Sequence, residues 1–81
     1  MNLYVISQTA NDDYDTYDSA VVAAESEDEA RMIHPNRIID WDGEPKDFDT
    51  WTAAKNVKVE LIGQAVTGVE MSIIVASFRA G

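Results

Sequence analysis

The sequence has no cysteine, only two prolines and four glycines, and six basic residues against fifteen acidic ones. Without cysteine, the chain can form neither a disulfide framework nor a thiolate metal site. No apolar run approaches the roughly 18 residues of a membrane span, and the N-terminal stretch lacks the basic start and apolar core of a secretory signal. We therefore expect a soluble, unprocessed protein, and a reducing cytoplasm is compatible with this composition.

The shortage of basic residues is uneven along the chain. Thirteen of the fifteen acids lie within residues 12–49, which carry a net charge of −10, whereas residues 50–81 carry +1 and residues 1–11 carry none. Such a field repels phosphate groups, because nucleic-acid affinity comes largely from Lys and Arg. Direct binding to DNA, RNA or an anionic membrane is therefore not expected, and a protein partner with a basic surface is favoured.

Apolar residues make up 46% of the chain, which is ordinary for a globular protein and predicts one domain over residues 1–81. β-forming residues and alternation predict four strands, at Leu3 to Gln8, Ser19 to Ala24, Val57 to Leu61 and Met71 to Phe78. The last strand, MSIIVASF, is apolar on both faces, which is typical of a strand in the centre of a sheet. Gly63 predicts a strand end or a bulge, and Thr67 with Gly68 predicts a turn.

The stretch ESEDEARMIHP predicts a short helix. Ser26 and Glu29 have the spacing of a capping box, and Glu27 can pair with Arg31 one turn later. Pro35 disfavours a helical conformation at His34, which limits the helix to about two turns. The predicted fold class is α+β: an antiparallel sheet of about four strands in the order β-β-α-β-β along the chain, with one short helix packed on one face.

A long acidic irregular segment at about residues 36–56 separates the helix from the third strand. A structureless connection of about 20 residues is unusual in a small domain, so part of it should have structure of its own. Gly43 to Pro45 has the composition of a turn. Asp49 is predicted to cap a short turn that runs through Ala54 and ends at Asn56.

No catalytic signature occurs, and we expect a protein that is not an enzyme. The single histidine, His34, has no recognisable partners for acid–base chemistry, and we expect it in a capping or surface role. Closely spaced carboxylates in DDYDTYD and DWDGEPKDFD are the oxygen ligands that calcium prefers. However, Asp40, Asp42 and Gly43 lie too close together for an EF-hand loop, so neither a metal nor a cofactor is expected, and a calcium-stabilised binding module is the weakest alternative.

Carboxylates and aromatic side chains alternate in three places, a combination that suits docking on a basic protein surface. The candidate partner-binding residues are Asp12, Asp13, Tyr14, Asp15, Tyr17, Asp18, Asp40, Trp41, Asp42, Glu44, Asp47 and Asp49. The stretch NDDYDTYDS is interpreted as the loop between the first two strands. Two alternatives stay open: the acids only keep the protein soluble, and Trp41 and Trp51 belong to the core.

The stretches YDTYDSAVVAAESEDEARMIHP, VKVELIGQA and IIVASFRAG resemble a group of small acidic proteins encoded in bacteriophage and prophage genomes. The resemblance implies a phage-type accessory protein in the host cytoplasm, without implying any catalytic or binding residue. Proteins of this kind often bind and block a host protein, such as a CRISPR effector. The function expected is therefore stoichiometric, nucleic-acid-mimicking inhibition. The alternative is a structural protein that forms a homodimer if MSIIVASF lies at a sheet edge.

Overall fold

Four antiparallel strands, one short α-helix and one 3-10 helix make up the described part of the chain. The computed structural model describes residues 1–11, 16–36, 41–45 and 50–79, of which 78 and 79 are described by backbone alone. The strands are β1 (Asn2–Ser7), β2 (Thr16–Ala24), β3 (Lys58–Gln64) and β4 (Ser72–Arg79); α1 is Glu27–Arg31, and the 3-10 helix is Ala54–Asn56. The sheet order is β3-β1-β2-β4. The predicted α+β fold is confirmed.

The core lies on one face of the sheet, where alternate residues of β1 and β2 meet. Tyr4 pairs with Val22, and Ile6 pairs with Ala20, and all four side chains are buried. The helix α1 packs over β1, β2 and β3 on this face. A helix of five residues has little stability of its own, so α1 depends on this packing.

The helix begins as its sequence predicts. The Oγ of Ser26 accepts a hydrogen bond from the backbone N–H of Glu29 at 3.1 Å. The Glu29 carboxylate accepts from the N–H of Glu25 at 3.0 Å, one residue before the cap, so the second bond of a standard capping box is shifted. Arg31, expected to pair with Glu27, instead donates through Nη1 to the carbonyl oxygen of Val57 and ties the helix to the residue before β3.

The strand β4 lies at the edge of the sheet, beside β2, so the expectation that it is central is wrong. An apolar pattern on both faces normally reflects burial by layers on both sides. In β4, however, Ile74 and Val75 are 52% and 62% exposed. The other edge is β3, where the register shifts opposite Leu3 and Tyr4, so the bulge predicted near Gly63 is confirmed.

Two connections differ in how well their sequences predicted them. The turn at Thr67 and Gly68 is confirmed: the N–H of Val69 donates to the oxygen of Val66, and Gly68 has a φ of +97°. By contrast, β2 already begins at Thr16, so the interpretation of NDDYDTYDS as a loop is wrong from that residue onward. Backbone pairing with β1 and β4 extends the strand into this polar stretch.

Candidate partner-binding surface

The acidic stretch at residues 12–15 is attached to a hydrogen-bonded base that lies on described residues. The side chain of Gln8, which is buried, donates to the oxygens of Asn11 and Tyr17 at 2.7 and 2.8 Å and accepts from the N–H of Asn11 at 2.7 Å. The backbone N–H of Gln8 donates to the oxygen of Asp18. One amide side chain therefore fixes the points where the chain enters and leaves the acidic stretch.

We call residues 11–18 and 40–49 the first and second acidic parts of the chain. A second element, residues 50–54, is hydrogen-bonded to both, and we call it the bridging segment. Its first two carbonyl oxygens accept from Tyr17 N at 2.8 Å and from Asn11 Nδ2 at 2.9 Å. Its last residue, Ala54, donates its N–H to the oxygen of Gly43 at 2.8 Å. Four residue steps span at most about 14 Å, so the bases of the two acidic parts lie close together.

Asp18 lies in β2 where the register with β4 shifts, and it has no pairing residue of its own on β4. Its Oδ1 is buried and has no hydrogen-bond partner among the described residues. A buried carboxylate oxygen without a partner costs free energy and calls for an explanation.

The loop at residues 41–45 presents two exposed carboxylates, Asp42 and Glu44. The Oδ1 of Asp42 accepts from the N–H of Glu44 at 3.0 Å, and Gly43 between them has a φ of +87°. A side chain at Gly43 would lie 3.2 Å from the Cε of Met32, which is itself 40% exposed. Gly43, between the two acids in the sequence, therefore lies against Met32 at the end of α1.

The rings of His34, Trp41 and Trp51 form a buried group, which we call the aromatic cluster. The centroid of the His34 ring lies 5.4 Å from that of Trp41 at an interplanar angle of 81°, and 6.5 Å from that of Trp51 at 57°. His34 is fully buried, and its Nδ1 accepts from the N–H of Asn36 at 3.0 Å, so the expected surface or capping role is wrong. The cluster joins the end of α1, the loop at 41–45 and the bridging segment.

Trp41 belongs to the core, where it is 8% exposed. Its Nε1 donates to the oxygen of Glu44 at 3.1 Å, so the buried indole is hydrogen-bonded to the backbone of the acidic loop. Of the two interpretations open for the tryptophans, burial in the core describes both, because Trp51 is 1% exposed. The candidate contact residues of this loop are therefore Asp42 and Glu44.

Seven of the predicted site residues lie outside the described residues. They are Asp12, Asp13, Tyr14, Asp15, Asp40, Asp47 and Asp49. The predicted cap at Asp49 is therefore outside the described part as well, while the 3-10 helix at Ala54–Asn56 starts after Ala53 without a side-chain cap. Tyr17 and Asp18, half-buried in β2, and Asp42 and Glu44, exposed in their loop, are described.

Sequence reasoning missed the supporting residues Gln8 and Asn11. For Gln8 a signal exists, since the period of two in a strand places it on the same side as the buried Tyr4 and Ile6. For Asn11 no local pattern points to Trp51, which is 40 positions away.

The chemistry of this surface is that of hydrogen-bond acceptors and negative charge. Within the ranges that the structure describes, no group of three or more His, Cys, Asp or Glu residues is arranged to hold a metal ion. No helix in those ranges is long and apolar enough to cross a membrane. Comparison of the chain with protein-family models, curated proteins and solved structures gives no match.

Proposed function

We propose that this chain is a phage-type accessory protein that acts by stoichiometric binding to a basic surface of a host protein. The host protein is one that handles nucleic acid or defends against it, for example a CRISPR effector. The acidic parts of the chain occupy the groove that normally holds phosphates, in the cytoplasm of the host cell. Charge steers the encounter, and adjacent side chains such as Tyr17 supply contact area.

The observation that supports this proposal is the shared attachment of the two acidic parts to the bridging segment. Phosphate mimicry needs carboxylates that lie near one another and are held by rigid elements. Hydrogen bonds from Asn11 and Tyr17 join the base of the first acidic part to residues 50 and 51. The N–H of Ala54 donates to the oxygen of Gly43 and so joins the second acidic part to the same support. Trp41 donates to the oxygen of Glu44 within that part.

A competing explanation is that the acidic surface only keeps the protein soluble. In that case the position of each acid is irrelevant, and only the net charge of −9 matters. The two explanations therefore predict different results for variants that change the same number of charges at different places.

The test is capture of host proteins from a nuclease-treated bacterial lysate on the immobilised chain, with elution by a short double-stranded DNA duplex. Phosphate mimicry predicts that the duplex releases captured protein at an ionic strength where salt alone does not. The test variant changes the four aspartates of the first acidic part to asparagine: Asp12, Asp13, Asp15 and Asp18. We expect at least tenfold less duplex-eluted protein with it than with the natural sequence.

The matched control removes four other acids, by Glu25→Gln, Glu27→Gln, Asp28→Asn and Glu70→Gln, all at exposed positions. Its net charge equals that of the test variant, and capture should stay close to that of the natural sequence. Equal losses in both variants would favour the solubility explanation. Captured protein that the duplex does not release would contradict phosphate mimicry.

A further inference from the structure

The edge strand β4 exposes two large apolar side chains in a stretch without charged residues. Ile74 and Val75 are more than half exposed, and the next two residues, Ala76 and Ser77, are exposed as well. No residue from Ser72 to Ser77 is charged. A long, uncharged, apolar edge strand presents unpaired backbone N–H and C=O groups and is a template for another strand.

The sequence of β4 is suited to a position that β4 does not have in a single copy. Its two apolar faces are typical of a central strand, yet among the described residues β4 has only β2 as a neighbour. The helix α1 packs over the other three strands, and of the side chains described from Met71 to Ser77, Met71 and Ile73 pack against the core. A further strand beside β4 would make it central and would reduce the exposure of its apolar side chains.

We propose that β4 pairs with β4 of a second copy of this chain, in antiparallel orientation about a twofold axis. The two four-stranded sheets then continue into one sheet of eight strands, and the exposed side chains of Ile74 and Val75 pack against their counterparts. A twofold contact of this kind uses the same surface on both copies and closes the assembly at a dimer.

Charge selects a second copy, in this orientation, as the occupant. Each chain carries −9, so two copies repel each other wherever their acidic parts face. The uncharged stretch of β4 is a place where they meet without that repulsion. In addition, Glu70 precedes β4 and Arg79 ends it, so antiparallel pairing sets each negative end beside a positive end, whereas parallel pairing sets like charges together.

The opposite edge of the sheet carries charges that the stretch from Ser72 to Ser77 lacks. On β3, Leu61 and Ile62 are exposed as well, but the charged residues Lys58 and Glu60 are exposed beside them, and the bulge near Gly63 interrupts the register. Charged side chains and bulges are devices by which edge strands avoid pairing with other chains. The strand β4 also has a bulge, at Ile74, which lies between the partners of Val21 and Val22, but β4 pairs with β2 from Val75 to Arg79 without an inserted residue of its own.

Light scattering over a concentration series from micromolar to millimolar measures the mass directly. We expect twice the chain mass of 9.0 kDa at the upper end, falling toward 9.0 kDa on dilution. Val75→Lys places a charge on the pairing strand and should raise the dissociation constant of the dimer at least tenfold. Its control is Ile62→Lys on β3, which changes a residue of similar exposure, 51%, and should leave the mass unchanged.

A second measurement keeps the test valid if a lysine variant folds poorly. The natural chain has no cysteine, so the exposed positions of Ser77 in β4 and Gln64 in β3 can each carry a single thiol. A short bismaleimide crosslinker should join two copies of Ser77→Cys at the concentrations where the natural chain is a dimer and leave Gln64→Cys monomeric.

Several results would overturn the dimer. They are a mass of 9.0 kDa across the whole series, equal crosslinking of the two cysteine variants, or loss of the dimer in Ile62→Lys but not in Val75→Lys. The interface uses no residue of the acidic parts, so a monomer leaves the phosphate-mimicry proposal standing. Likewise, failure of the capture experiment leaves the dimer standing.

Discussion

The covered side of the sheet and the β4 edge differ in what surrounds their apolar residues. On the covered side, α1, the aromatic cluster and the bridging segment contribute to the buried apolar core. At the β4 edge, Ile74 and Val75 are more than half exposed. We therefore expect substitutions on the covered side to change the stability of the fold, and substitutions at the β4 edge to change the proposed dimer.

Trp51→Ala should produce the largest loss of stability, because it empties the centre of the covered side. Truncating a buried tryptophan costs about 3–5 kcal/mol, a large part of the roughly 4–12 kcal/mol expected for a domain of this size. Urea denaturation followed by circular dichroism measures the loss. Trp51→Phe should cost clearly less, since the indole N–H has no hydrogen-bond partner among the described residues. A cost below about 1 kcal/mol for the alanine variant would contradict the division of roles.

Gly43→Ala should be the next most damaging change. It puts a side chain on a backbone with φ +87° and within 3.2 Å of Met32 and 3.3 Å of Ala54, for a cost of about 3 kcal/mol. Gly68→Ala is the control, because φ is +97° there but no atom lies within 4 Å. Its cost should be about 1–2 kcal/mol, and the difference in unfolding free energy between the two variants measures the crowding on the covered side.

Gln8→Ala removes the side chain that fixes the base of the first acidic part. The carbonyl oxygens of Asn11 and Tyr17 lose its donor, so we expect a loss of about 2 kcal/mol in unfolding free energy. Gln64→Ala, on the exposed side of β3, should stay within about 0.5 kcal/mol of the natural chain. A matching loss for Gln64→Ala would show that the buried hydrogen bonds are not the reason.

Ser26→Ala tests the helix that covers the sheet. It removes the acceptor for the N–H of Glu29, and such caps contribute about 1 kcal/mol. Thermal melting should show the loss, while Thr67→Ala in the exposed turn should change little. An unchanged melting temperature for Ser26→Ala would mean that the helix contributes less to the covered side than its contacts suggest.

Val75→Thr should have the smallest effect, within about 0.5 kcal/mol, when measured at concentrations where the chain is monomeric. Val75 is 62% exposed, so a hydroxyl in place of a methyl group stays in water. Val22→Thr makes the same exchange on the neighbouring strand at a fully buried position and should cost about 1–3 kcal/mol. Similar costs at both positions would remove the distinction between the two sides.

The sequence predicted the features that depend on neighbouring residues. The cap at Ser26, the turn at Gly68 and the bulge near Gly63 each follow from local chemistry, and the structure contains all three. The strand order could not be predicted in this way, because it depends on pairing between strands that lie far apart in the chain. The misplacement of β4 arises there, since a pattern apolar on both faces does not show which strands lie beside it.

The candidate site was predicted less completely, for a related reason. Negative charge and aromatic side chains can be read from composition, whereas the supports of the acidic parts come from residues far apart in the chain. The hydrogen bond from Asn11 to Trp51 spans 40 positions. Similarly, the burial of His34 depends on two tryptophans, one from the loop at residues 41–45 and one from the bridging segment. No local pattern contains such contacts.

The strand order β3-β1-β2-β4 has a consequence for how the chain folds during synthesis. The two central strands form the N-terminal hairpin, but both of their outer neighbours come from the last third of the sequence. An isolated two-stranded hairpin is at best marginally stable in water. Pairing across long sequence separations is also slow, because loop closure must come first. The hairpin therefore leaves the ribosome with two open edges, and the native sheet forms only after residues 58–79 have emerged.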